Sequence, residues 1–160
     1  MRTLALATFA FALAFAPLAH AAESGAVILT IDGATGDGKP HAFTLADLEK
    51  LPPADIKTAT PWHDGVQQFD GVLLSDLMKA VGAKGTMLHV RALDDYKSDV
   101  PVADFEKYKP IMAYLHGGKP MPVRDKGPLF IVYPYDSDPA LRNETFYTRS
   151  PWQIAAMTIE

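Results

Sequence analysis

The sequence predicts an α+β domain of mixed, mostly antiparallel sheets with a few short helices, and three observations predict it. Apolar runs rich in β-branched residues recur but are short, and Gly, Pro and Asp punctuate them. Helical spacing of apolar residues is confined to two or three brief segments, so helices are subordinate to strands. No repeat, low-complexity tract or domain linker interrupts the chain, which leaves strands and helices to share one core.

Ala26 to Ile31 is the first such run, and the turn-prone stretch from Asp32 to Gly38 carries it into a loop. His41 to Phe43 is placed as a strand nearby. Thr44 has the side chain to cap a short helix through Leu51, with Leu45, Leu48 and Leu51 at helical spacing before Pro52-Pro53 ends it. Ile56 to Thr60 reads as a strand, Trp62-His63-Asp64-Gly65 as a loop, and Gln67 to Phe69 as extended chain returning. From Val72 to Val81 the residues Leu73, Leu74, Leu77, Met78 and Val81 share one side of a helix that Gly82 can close. Met87 to Leu93 and Tyr96 to Val100 form strands joined across Asp94-Asp95, and a helical turn follows over Val102 to Tyr108. Ile111 to His116, Gly117-Gly118 and Lys119 to Met121 have the shape of a hairpin. Leu129 to Tyr133 suits a buried strand, Pro134 to Asn143 reads as a loop, and Trp152 to Ile159 closes the chain as a strand.

Met1-Arg2-Thr3 is a basic start, Leu4 to Leu18 an uncharged apolar run, and Ala19-His20-Ala21 a small-x-small cleavage pattern. Residues 1–21 therefore read as a secretory signal peptide, and 22–160 as a single exported domain. The apolar run is shorter than the ~20 residues a spanning helix needs and is interrupted by Pro17, so direct membrane insertion is not expected. Loss of Arg2 with the leader makes the formal charge of −4 one unit more negative. That balance, with no Lys/Arg cluster, argues against a nucleic-acid partner, whose binding relies on neutralising phosphates. The chain has no cysteine, so an exported domain of this kind must stand on its hydrophobic core without disulfides.

Several motifs, weak singly, occur in a telling order. They are Phe43-Thr44-Leu45-Ala46-Asp47-Leu48, Phe69-Asp70-Gly71-Val72-Leu73-Leu74-Ser75-Asp76-Leu77, and Asp94-Asp95-Tyr96 leading to Val100-Pro101. Ala113-Tyr114, Gly118-Lys119-Pro120-Met121, Gly127-Pro128-Leu129, Tyr133-Pro134 and Trp152-Gln153-Ile154 continue the series. Together they resemble the oxidoreductase molybdopterin-binding domain, the sulfite-oxidase-like fold. Enzymes of that family hold molybdenum through a cysteine in the loop that here reads Thr60-Pro61-Trp62-His63-Asp64, and through the dithiolene of the pterin. The missing thiolate is similar to a subset of small exported proteins with this fold. The resemblance to them implies a non-enzymatic periplasmic protein that senses a reduced pterin, without a metal, and signals to a membrane-bound protein that makes or breaks cyclic-di-GMP. An alternative is a molybdopterin-dependent oxidoreductase or its accessory subunit.

A pterin is a flat bicycle with a 2-amino-4-oxo pyrimidine edge. It needs an aromatic face for stacking and an acceptor for parallel N–H bonds, which a carboxylate supplies well. Possible platforms are Trp62, Tyr96, Tyr135, Phe146, Tyr147 and Trp152; possible acceptors are Asp64, Asp94, Asp95, Asp99 and Asp136. Trp62 lies in a loop without periodicity, which favours a ligand role over core packing. Tyr96 is either a cross-strand aromatic or a platform, and Asp95 either a turn-former or an acceptor. Trp152 alternates with Ile154, which favours the core. Arg149 and Ser150 are implied by the resemblance, as the segment that contacts the pterin side chain or its phosphate. The residues put forward for the pterin are Trp62, Asp95, Tyr96, Tyr135, Arg149, Ser150 and Trp152. The histidines form no zinc-like cluster, Ser75 and Ser150 lack a hydrolase nucleophile's setting, and Asn143-Glu144-Thr145 matches a glycosylation acceptor.

Overall fold

A computed structural model describes residues 25–160 of the chain. The expected signal peptide lies outside the described residues.

Ten strands and four short helices make up these residues. Strand β1 (Val27–Gly33) runs antiparallel to β2 (His41–Thr44), and helix α1 (Leu45–Leu48) follows directly. Thr44 caps α1 in a capping box: the Asp47 N–H donates to Thr44 Oγ1, while Asp47 accepts from the Thr44 N–H. The helix stops at Leu48, sooner than the leucine spacing predicts, and only a turn carries on to Leu51. Strands β3 (Pro53–Thr60) and β4 (His63–Leu73) form a long hairpin. The turn between them is only Pro61-Trp62. His63 to Gly65 thus belongs to β4 rather than to the predicted loop, because Thr60 already pairs with His63.

Helix α2 (Leu74–Ala80) begins two residues later than predicted, since Val72 and Leu73 still pair with β7 (Ile111–His116). Gly71 sits at a bulge in that pairing, where a Cβ would collide with the Met112 carbonyl. Strands β5 (Met87–Ala92) and β6 (Lys97–Pro101) are joined across Asp94-Asp95 as predicted, and α3 (Ala103–Tyr108) follows. Beyond β7, the strands β8 (Lys119–Pro120) and β9 (Phe130–Val132) share its far edge. Part of the predicted loop Pro134 to Asn143 is structured, with a 3-10 turn over Pro139–Leu141, and helix α4 (Glu144–Thr148) follows it where no element was predicted. The last strand, β10 (Ile154–Ile159), starts later than predicted. Gln153 adopts a left-handed backbone, φ 53°, which breaks the alternation between Trp152 and Ile154.

One sheet has the order β2-β1-β10-β5-β6, with β1 and β10 parallel and the other pairs antiparallel. The other is wholly antiparallel, β3-β4-β7 with β8 and β9 on β7. Period-two alternation splits β7 and β9 between two clusters. Met112, Tyr114 and Ile131 face the main core, together with Leu29, Ile31, Leu77, Leu88, Val100 and Met157. Ile111, Ala113, Phe130 and Val132 face a smaller cluster with Ile56, Phe69 and Met121, against which Trp62 and Trp152 pack. Burial on both faces explains why β9 reads as an unbroken apolar run. No helix among the described residues is long and apolar enough to cross a membrane.

Candidate functional site

The short β3-β4 turn projects Trp62 against aromatic neighbours from distant parts of the chain. Thr60 Oγ1 accepts from the Trp62 N–H at 3.4 Å and bonds His63 Nδ1 at 2.8 Å, fixing the turn from below. The half-buried indole meets Trp152, Phe130, Tyr147 and Tyr135 edge to face, with centroids 5.3, 5.6, 5.8 and 6.4 Å away. Each such contact sets the edge of one ring against the face of the other. Beside them opens a cavity of about 290 Å³, near the low end of the ~300–1,000 Å³ usual for small-molecule sites.

Its wall comes from three segments: Trp62 of the β3-β4 turn; Ala92 at the end of β5 with Asp94 and Tyr96 of the turn after it; and Glu144, Tyr147, Thr148, Ser150, Pro151 and Trp152 of α4 and its exit. Four of the seven residues put forward from sequence meet here: Trp62, Tyr96, Ser150 and Trp152. Tyr96 is 47 % exposed, so its ring has little competing packing. Asp94 Oδ1 accepts from the Tyr96 N–H at 3.1 Å and shapes the turn while its other oxygen stays open. Ser150 is buried and internally committed. Its hydroxyl donates to the Phe146 carbonyl at 2.8 Å and lies 2.5 Å from the Tyr135 hydroxyl, which therefore serves as donor.

The other three sit elsewhere. Tyr135 is buried behind the cavity, backing Trp62 and Tyr147, and burial pushes its phenol well above the ordinary range. Asp95 is exposed, with left-handed φ 64° and an ion pair to Arg91 at 3.5 Å; it forms the turn and does not line the cavity. Arg149 points away from the cavity. Its Nη1 donates to Asp104 at 2.9 Å, and Asp104 also accepts from Tyr133 at 2.8 Å. Asp136 is engaged likewise, by the Ala59 N–H and by Arg142, which hold its carboxyl below the usual range.

The sequence reading did not single out Glu144 or Thr148, and it carried Asp94 and Tyr147 only as general candidates. The missing signal is α4 itself. Asn143 is its N-cap, accepting from the Thr145 N–H at 2.9 Å, and helical winding brings Glu144, Tyr147 and Thr148 to the cavity. An Asn followed by Glu before aromatic residues was the cue available.

Chemically, the site offers aromatic surfaces and two rim carboxylates, Asp94 and Glu144. No histidine is among the described residues that line the cavity.

A model of the oxidoreductase molybdopterin binding domain matches residues 19–136 of the chain, which include Trp62, Asp94 and Tyr96 and end before α4. Among solved structures the fold is similar to a chain of the sulfane dehydrogenase SoxCD from Paracoccus pantotrophus, with TM-score 0.62 and 18% identity. That match covers 82% of this chain but 37% of the other, so this chain spans little more than a third of that length. No curated protein matches the sequence.

A domain of this kind implies a pterin-type ligand, usually with molybdenum. The flat ring system fits the aromatic cavity, but the donor set does not fit the metal. The chain has no thiolate to offer. His63, the metal-capable side chain of that turn, commits Nδ1 to Thr60 and lays its ring against Phe69 and His116. Among the described residues no three His, Asp or Glu side chains come together as alternative ligands.

Proposed function

The chain belongs to the oxidoreductase molybdopterin binding domain family, and from that premise we propose that it is a non-enzymatic periplasmic protein that senses a reduced pterin. Its signal goes to the periplasmic domain of a membrane-bound protein that makes or breaks cyclic-di-GMP. The observation that carries this reading is the coexistence of an aromatic cavity rimmed by carboxylates with the loss of the thiolate on which the family's metal depends. Fold persists without function when the site's chemistry is removed. Here the part suited to a flat heterocycle is kept and the part suited to redox turnover is gone.

Signalling follows from linkage. A ligand held between Trp62, Tyr96 and Tyr147 would tie together three segments that are far apart in sequence. A partner that reads their arrangement responds in proportion to the ligand's differential affinity for it. The export and the single-domain reading of residues 22–160 belong to this proposal.

Family membership favours one rival, a molybdopterin-dependent oxidoreductase or its accessory subunit. Protein purified anaerobically, denatured and oxidised is expected to release a fluorescent pterin, with molybdenum far below one atom per chain. Stoichiometric molybdenum would make the rival correct.

A further inference from the structure

We infer that the cavity selects a pterin whose side chain carries no phosphate, because the two charged residues that line it are both carboxylates and, among the described residues, the nearby cations stand outside its lining. This rests on the pterin reading above and narrows it. Asp94 and Glu144 are the charged residues that line the cavity, and both are exposed, so both present negative charge at the mouth. Phosphate recognition needs the reverse, Arg or Lys donors or oriented N–H groups.

The nearby cations, Lys97, Lys126 and Arg149, do not line the cavity. A shallower groove adjoins the cavity, sharing Glu144 and Thr148, and it is lined by Lys97, Asp99 and Arg149. Arg149, the residue the family resemblance nominates for phosphate, is 25% exposed, paired with Asp104 at 2.9 Å and stacked on Phe146. Lys97 shares the groove with the carboxylates of Asp99 and Glu144. Lys126 lies 5.4 Å from the Trp152 ring centroid but outside the cavity lining. The start of α4 offers no anion site either, since the Thr145 N–H is taken by Asn143. A phosphate tail would meet like charge at the cavity mouth, whereas the amino edge of the ring meets acceptors.

The test is a pair of anaerobic titrations of the full mature protein, one with 7,8-dihydroneopterin and one with its 3′-triphosphate. Each is run at low and at high salt. The ester is expected to bind at least ~10-fold more weakly at low salt, the gap narrowing as salt screens the repulsion. The double variant Asp94→Asn, Glu144→Gln is expected to narrow the same ratio, and both positions are exposed enough to leave folding intact. An ester that binds as tightly as the parent, or whose binding weakens with salt, overturns the inference. A gap indifferent to salt and to the double variant also overturns it, by assigning the exclusion to shape. Failure of both compounds to bind removes the pterin reading itself, a result distinct from either of these.

Discussion

Helix α4 has two faces, and they treat similar residues in opposite ways. Toward the cavity it presents Glu144, Tyr147 and Thr148. Toward α3 it presents Phe146 and Arg149, where Arg149 and Tyr133 converge on Asp104 and Phe146 meets Tyr108 and Tyr133. Both faces carry aromatic rings and charge, but on the α3 side the charge is paired, Arg149 with Asp104, whereas Glu144 on the cavity side makes no ion pair among the described residues. A charged or aromatic side chain is available to a ligand when its neighbours leave hydrogen-bonding capacity or a ring face unfilled.

Asp104→Ala is the sharpest way to break the contrast. It strips the partner from Arg149 and from the buried Tyr133 hydroxyl at once. Breaking a buried pair costs ~3–5 kcal/mol, and the low end, about 3 kcal/mol, is expected because Arg149 keeps part of its surface in water. Urea unfolding should show that loss, with pterin affinity of the folded fraction little changed.

Trp62→Ala should give the crossed result. Loss of one stacking platform is expected to weaken pterin binding by ~1–3 kcal/mol, by analogy with base–aromatic stacking. The indole also edges against four rings, so some stability will go with it, about 0.5–1.5 kcal/mol for each aromatic pair not replaced. An affinity unchanged in a titration would remove Trp62 from the site.

Stability should also fall at both ends of the pH scale, through two partly or fully buried groups off α4. Burial, then the charges of Lys126 and His116, hold His63 below its ordinary 6.5. The unfolded chain therefore binds the extra proton first. The stability tied to a neutral His63 is present above pH 6.5 and is lost as pH falls toward the folded value. Tyr133 is the reverse case: burial and Asp104 push its phenol far above the ordinary 10.0. Its contribution is complete below pH 10 and declines above it, as the unfolded tyrosine ionises while the folded one does not. Unfolding free energies measured from pH 5 to 11 should therefore fall at both ends, with His63→Gln flattening the acid limb and Tyr133→Phe the alkaline limb.

Tyr96→Ala should have the smallest effect on the fold. The ring is half exposed, so stability should move within about ±0.5 kcal/mol while pterin affinity drops measurably. A drop in stability without a drop in affinity would place Tyr96 with the residues of the α3 side.

How far this contrast could be read from sequence depends on range. Strands such as β1, β5 and β7 announce themselves through β-branched and apolar runs, and the Asp94-Asp95 turn through its composition. Thr44 with Asp47 is a cap visible over four residues. Helix α4 is five residues long, too short for periodicity to register, and its cap Asn143 also fits a glycosylation tripeptide. The fate of Arg149 was illegible because Asp104 lies 45 residues away. Trp152 was misplaced on the strand because nothing local announces the left-handed Gln153. Trp62 could be nominated since its turn lacked any packing period, but its four ring partners come from the tertiary fold alone.

Trp62 and Trp152 are the chain's two tryptophans, and both line the cavity, so indole emission reports on this site alone. Titration of the mature protein with a tetrahydropterin under anaerobic conditions, corrected for absorption by the ligand, should quench that emission saturably at one equivalent per chain. Emission that stays constant, or that declines without saturating, would contradict the account that this cavity has kept the heterocycle and lost the metal.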